Sequence, residues 1–277
     1  MKLLRAYLSF LDAVAPSLAA KKVYQVMSNP RIKKLRNFET EVLDQSVKIT
    51  IKFKQFDIQT YHWGRASNRK ALLVHGWEGQ AGNFGGVVPL LLEKGFQVIS
   101  FDAPSHGYSS KGHTNLFEYM ALVSQLVREH EPDFIMSHSF GSISTAVALS
   151  ENQHLKIEQW ILVTSPFSFK ERLEGVRQMV NVTDRTISSL VDKFESDTQM
   201  LVHDMSMENY CAKIANVGKI SIIHSIDDKI LPIETSRKVH AQLPTAEMIE
   251  LKGLGHYRIL WSDELKEILE EKVAKIL

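Results

Sequence analysis

The segment Ser137-His138-Ser139-Phe140-Gly141 sets a serine between small residues, just after the short apolar run Asp133 to Met136 and just before a helix rich in small side chains. A strand that turns this sharply into a helix needs small residues two before and two after the serine, and it pushes the serine oxygen up at the sheet edge. Gly141 meets the requirement; Ser137 stands where glycine is usual and adds a Cβ at a crowded site. The helix opening at Phe140 turns its free N–H groups toward the serine, a donor for a developing oxyanion. A serine hydroxyl attacks a carbonyl only when a base takes its proton, and that base needs a carboxylate to hold its tautomer. Two acids, Asp227 and Asp228, follow the run Ile220 to Ile223, and His256 follows Met248 to Leu251 in the glycine-bearing loop Lys252-Gly253-Leu254-Gly255. Serine, acid, histidine is the chain order in which such a sheet delivers a nucleophile and its partners to one edge.

The elements that must position these groups alternate along the chain. Val47 to Phe56 and Ile58 to Trp63 predict an antiparallel pair, with Ile49, Ile51 and Phe53 on one face. Ala71 to Val74, Phe96 to Phe101, Asp133 to Met136, Trp160 to Val163, Ile220 to Ile223 and Met248 to Leu251 read as buried strands. Helical patterns lie between them at Val87 to Lys94, Leu116 to Glu129, Gly141 to Ser150, Glu234 to Gln242 and Asp263 to Ile276. In the last, Leu265, Ile268, Leu269, Val273 and Ile276 form one stripe and Ser262 stands ready to cap it. Strand–helix–strand repetition gives a mostly parallel sheet covered on both faces, with ligands beyond the carboxyl ends of the strands. Only the segment from Pro166 to Gly218 lacks strands. Its apolar spacing predicts inserted helices over that edge, in the position of a lid.

Together with the elbow around Ser139, four motifs resemble the α/β-hydrolase superfamily over roughly Val47 to Leu277. Leu73-Val74-His75-Gly76-Trp77-Glu78-Gly79 is similar to the family's His-Gly oxyanion loop, which implies that the N–H of Trp77 pairs with that of Phe140. Asp102-Ala103-Pro104-Ser105-His106-Gly107-Tyr108-Ser109 resembles the loop after the next strand, with Ser105 where glycine is commoner. Asp228 followed four residues later by Pro232 matches the family's acid, which selects Asp228 over Asp227, and Gly255-His256 matches its histidine. The resemblance implies an α/β-hydrolase fold: an N-terminal helical extension over residues 1–45, a core over 46–166 and 218–277, and a helical lid over 167–217. It implies a serine hydrolase of carboxylic esters or thioesters, with Ser139, His256 and Asp228 as the catalytic set, Trp77 and Phe140 as the oxyanion hole, and a small-molecule ester as substrate. Transfer to an acceptor other than water, and a non-catalytic binding protein, are the alternatives. His75 and His106 read as loop-fixing residues, and His138 as unable to reach the serine across the turn.

Competing chemistries lack their parts. The 277 residues carry 33 Lys+Arg against 32 Asp+Glu, a balance of +1 that gives no general field for nucleic acid; Lys33, Lys34 and Arg36 form only a local basic hint. Gly107 to Thr114 misses the phosphate-loop pattern because His113 replaces its lysine. No His-Glu-x-x-His or clustered ligand set predicts a metal, Gly253-Leu-Gly255 lacks the third glycine of a dinucleotide loop, and no cofactor is expected. A serine at the elbow argues against the aspartate-dependent dehalogenases and epoxide hydrolases. The single cysteine, Cys211, fits a reducing compartment, and a cytoplasmic location is expected. Residues 1–20 carry Lys2 and Arg5 before an apolar stretch, but Asp12 and Pro16 interrupt it, so it reads as an amphipathic helix through Leu4, Leu8, Leu11, Ala15 and Leu18 rather than a signal peptide. That helix should pack on the body. No run is long and apolar enough to span a bilayer. In the inserted segment Met179, Met200, Met205 and Met207 read as packing fillers, and Asp197, Asp204 and Glu208 make a strongly anionic substrate less natural.

Overall fold

A computed structural model describes residues 2–31, 34–198 and 200–274. Lys33 of the basic cluster and Ile276 of the C-terminal stripe lie outside the described residues. Eight strands, counted among the described residues, form one sheet: β1 (Val47–Phe53), β2 (Phe56–Trp63), β3 (Lys70–Val74), β4 (Gln97–Phe101), β5 (Phe134–His138), β6 (Ile157–Val163), β7 (Val217–Ser225) and β8 (Glu247–Leu251). Their spatial order is β1-β2-β4-β3-β5-β6-β7-β8, with β2 antiparallel to both neighbours and the pairs from β4 through β8 all parallel. This is the expected mostly parallel sheet with an antiparallel start, and the fold is that of an α/β hydrolase.

Twelve α-helices accompany it among the described residues. Three precede the sheet: α1 (Lys2–Val14), α2 (Pro16–Met27) and α3 (Asn37–Asp44). Then come α4 (Val88–Glu93), α5 (Leu116–His130), α6 (Phe140–Glu151), α7 (Phe169–Val180), α8 (Asp184–Thr198), α9 (Met207–Cys211), α10 (Ile233–Gln242), α11 (Gly255–Arg258) and α12 (Asp263–Ala274). Alternation along the central strands sorts side chains into two cores. Leu72, Val74, Ile99 and Phe101 join the core beneath α5 and α6, while Ala71, Leu73 and Val98 join the one that holds Leu265, Leu269 and Val273 of α12. Ser262 accepts the Leu265 N–H at 3.1 Å and so caps α12.

The N-terminal helix and the first strand depart from the sequence expectations. The stripe through residues 1–20 is two helices, because Pro16 cannot continue α1 and instead starts α2, with Ala15 at φ −154° between them. Leu8 and Leu11 are buried, but Leu18 beyond the break is exposed. On edge strand β1 the apolar face fades: Phe53 is buried and Ile49 exposed, since β1 has a strand on one side only.

The segment between β6 and β7 holds α7, α8, a 3-10 turn at Val202–Asp204 and α9. The N-terminal helices are bonded to it. Ser9 donates to the Asn181 carbonyl at 2.8 Å, and the Asp12 carboxylate accepts from the Thr183 N–H and hydroxyl at 3.0 and 2.9 Å. Tyr24 of α2 packs on Phe194 of α8 with ring centroids 4.8 Å apart. Met205 and Met207 are fully buried fillers as expected, whereas Met179 and Met200 are exposed.

Candidate active site

Ser139 is the residue between β5 and α6, with φ 52° and ψ −125°, a conformation that a non-glycine residue adopts only under constraint. The constraint is visible on both sides. The Ser139 N–H is held by the Val163 carbonyl at 2.9 Å, tying the elbow to β6. On the helix side, a Cβ on Gly141 would lie 2.6 Å from the Val74 carbonyl oxygen and 2.7 Å from that of His75, so only glycine fits. Ser137 is accommodated by a different route. It is fully buried on β5, and its hydroxyl accepts the indole N–H of Trp160 from neighbouring β6 at 2.9 Å. Ser105 also stands in for glycine, at φ 67°, and its hydroxyl bridges the Gly112 carbonyl and N–H at 2.8 and 3.1 Å.

His256 is the second residue of α11, and the loop before it is fastened by Ser225, whose hydroxyl accepts from the N–H groups of Leu254 and Gly255. Its Nδ1 lies 2.7 Å from Asp228 Oδ2 and its Nε2 lies 3.1 Å from Ser139 Oγ. With Nδ1–H donating to the carboxylate, Nε2 is left as the acceptor for the serine proton. The structure therefore brings Ser139, His256 and Asp228, separated by 117 and 28 residues of chain, into one hydrogen-bonded line. Asp227 faces elsewhere: it is exposed and accepts the Gly253 N–H.

Asp228 is pinned from several directions. Oδ1 accepts from the Ile230 and Leu231 N–H groups at 2.8 and 2.9 Å. Burial by itself would push this carboxyl upward, but hydrogen bonds from His224, His256 and the Leu231 N–H outweigh it and hold the group well below the ordinary carboxylate range. His224 was not singled out in the sequence, although a histidine inside a buried apolar strand must find polar partners. It is fully buried, with Nε2 3.5 Å from Asp228 Oδ2 and 3.0 Å from the Leu231 carbonyl, and Nδ1 2.7 Å from Ser236 Oγ.

The loop after β3 closes on the elbow. A Cβ on Gly76 would meet Ser139 Cβ at 2.9 Å, so the loop carrying Trp77, the next residue, runs against Ser139. Phe140 is the first residue of α6, where the N–H has no partner within the helix. His75 donates from Nδ1 to the Gly76 carbonyl at 2.7 Å and accepts the Ala103 N–H on Nε2 at 3.1 Å. His106 accepts the Glu78 N–H at 3.0 Å, and Arg31 clamps the Glu78 carboxylate with two contacts of 2.8 Å. His138 donates to the His256 carbonyl at 2.9 Å instead of facing the serine. Burial lowers the basicity of all three histidines, most strongly in His106 and His138. The rings of Trp77, His106, Tyr119 and Phe140 pack into one aromatic wall beside the site. Cys211 is buried in α9, and burial pushes its thiol up to about 12, so it is a packing residue. Among the described residues no cluster of His, Cys, Asp or Glu could hold a metal ion, and no helix is long and apolar enough to cross a membrane.

Comparison with known proteins gives the geometry its relatives. The profile of the serine aminopeptidase S33 family matches residues 66–219. An uncharacterised hydrolase of Bacillus subtilis, YugF, is 23% identical over 78% of this chain and 92% of its own. Among solved structures, the esterase Pf2001 of Pyrococcus furiosus superposes with a TM-score of 0.64 at 17% identity, covering 91% of this chain and 96% of the esterase. A thioesterase domain from the curacin biosynthetic pathway superposes with a TM-score of 0.60 at 15% identity, covering 83% of this chain and 99% of the domain.

Proposed function

This chain belongs to the serine aminopeptidase S33 family of α/β hydrolases, and from that premise we propose that it cleaves carboxylic esters through an acyl-enzyme on Ser139. The observation that carries the reading is the line Ser139–His256–Asp228, with distances of 3.1 and 2.7 Å. In the proposed cycle the Ser139 hydroxyl adds to the ester carbonyl as His256 Nε2 takes its proton, and the N–H groups of Trp77 and Phe140 receive the oxyanion. His256 returns the proton to the departing alcohol. Water, deprotonated by the same imidazole, then releases the acid and restores the serine. Asp228 stays ionised and offsets the imidazolium charge. Helices α7 to α9 serve as the lid over this edge, and thioesters are open to the same chemistry because attack begins at the same carbonyl.

A non-catalytic scaffold would draw support from Ser137 and Ser105, the two departures from glycine. Both hydroxyls have structural partners, which supports the reading that each serine is accommodated in its turn. Transfer of the acyl group to an acceptor other than water uses the same residues and differs only in the last step.

The test is Ser139→Ala assayed on p-nitrophenyl esters of graded chain length, together with fluorophosphonate labelling of the wild type. The expected result is labelling at Ser139 and a loss of about 10^5-fold or more in kcat in the variant, with its thermal unfolding intact. Full turnover by Ser139→Ala would refute the nucleophile.

A further inference from the structure

The catalytic reading leaves the N-terminal helices without a task, and α1 is apolar on two adjoining faces. Leu8 and Leu11 are buried against the body. Leu3, Tyr7, Phe10 and Val14, spaced four, three and four residues apart, form a second stripe that is 88%, 47%, 64% and 63% exposed. At 1.5 Å per residue this stripe runs about 16 Å along the helix. The charge of the same region is one-sided. Residues 1–36 carry eight lysines and arginines and a single acid, Asp12, although the whole chain is balanced at +1. Asp12 is buried and spent on Thr183. Arg31 and Arg36 are held by Glu78 and Glu39, while Arg5, Lys21 and Lys34 are exposed.

An exposed stripe with two aromatic rings, on a strongly basic segment, points to one kind of occupant. We propose that α1 is an interfacial helix that lays Leu3, Tyr7, Phe10 and Val14 into the headgroup boundary of an anionic lipid surface, with the basic residues of the N-terminal segment drawn to its phosphates and carboxylates. A second copy of the chain fits less well, because pairing the stripes would press two basic segments together. Nucleic acid would use the cations and leave the aliphatic and aromatic side chains in water. Since α1 is bonded to the turn between α7 and α8 through Ser9–Asn181 and Asp12–Thr183, a docked bilayer lies beside the inserted helices.

The experiment is co-sedimentation of the full chain with phosphatidylcholine vesicles, with and without phosphatidylserine, at low and high salt. It does not depend on hydrolytic activity. The wild type is expected to sediment with the phosphatidylserine vesicles and to be released by salt. Phe10→Asp, and separately Leu3→Ser, are expected to weaken binding by about tenfold or more with unchanged circular dichroism and melting, because both positions face solvent. No binding of the wild type to anionic vesicles overturns the proposal, as does equal binding by both variants. A dimer in light scattering that Phe10→Asp dissolves, without vesicle binding, assigns the stripe to a second copy and overturns it as well. So does retention on duplex DNA without vesicle binding.

Discussion

Asp227 and Asp228 are adjacent in the chain and serve opposite sides of one loop: Asp228 reaches inward to His256 Nδ1 at 2.7 Å, while Asp227 is exposed and receives the Gly253 N–H. Each therefore acts on the histidine loop, one on the ring and the other on the backbone. Replacing them separately distinguishes the roles. Asp228→Asn is expected to lower kcat by about 10^4-fold, because the amide can donate to Nδ1 and stabilise the wrong tautomer. Asp227→Asn, which keeps an acceptor for Gly253, is expected to stay within about threefold of wild type. Steady-state kinetics on one activated ester checks both, and comparable losses in the two variants would contradict the assignment of the acid.

His224 holds Asp228 from behind, and its effect should be on turnover more than on binding. His224→Gln keeps a donor near the carboxylate; His224→Phe removes it and takes away the ring nitrogen that meets the Leu231 carbonyl. The phenylalanine variant is expected to lose on the order of 10- to 100-fold in kcat with KM little changed, and the glutamine variant to recover part of it. Equal kcat values for the two variants would show that the ring merely fills space.

The Trp160–Ser137 hydrogen bond predicts a stability effect without a catalytic one. Ser137→Ala leaves a buried indole N–H unpaired, at a cost of about 1–3 kcal/mol in urea unfolding. Turnover per folded molecule is expected to be unchanged, because the lost hydroxyl lies in the core between β5 and β6. A variant as stable as the wild type would mean that the Trp160 indole does not depend on the serine hydroxyl.

Stability should fall as the solution is acidified through the histidine range. Burial keeps His75, His106 and His138 less basic in the folded chain than in the unfolded one. Their neutral forms are favoured in the fold, so the associated stability is fully present above the unfolded value of about 6.5 and is lost as pH drops toward the lowered folded values. Each such proton contributes a slope of about 1.4 kcal/mol per pH unit. Asp228 adds nothing in that window because its carboxyl is held low and titrates at lower pH. Urea unfolding from about pH 8 to about pH 5 measures the slope. A flat profile would mean that these rings take up protons as readily in the fold as in the unfolded chain.

Much of this architecture is legible in the chain because alternation and turn residues report burial directly. The short apolar runs at Ala71 to Val74 and Trp160 to Val163 mark strands, and the small residues around Ser139 mark a turn that few other local structures require. The chain order of Ser139, Asp228 and His256 follows from the order in which parallel strands end at one edge. What an apolar stripe does not name is its partner. Nothing in Leu4, Leu8 and Leu11 shows that α1 is bonded to Asn181 and Thr183, and nothing in Ser137 shows that it answers Trp160. His224 stayed hidden because its partners, Ser236 and Leu231, come from a helix and a loop that only the closed fold brings to β7.

The three residues of the hydrogen-bonded line sit after β5, after β7 and after edge strand β8, so the line exists only once the sheet is assembled through to its last member. Under the proposed function turnover is a sensitive gauge of assembly: local opening of the β7–β8 margin would silence it while the remaining secondary structure kept its spectroscopic signature.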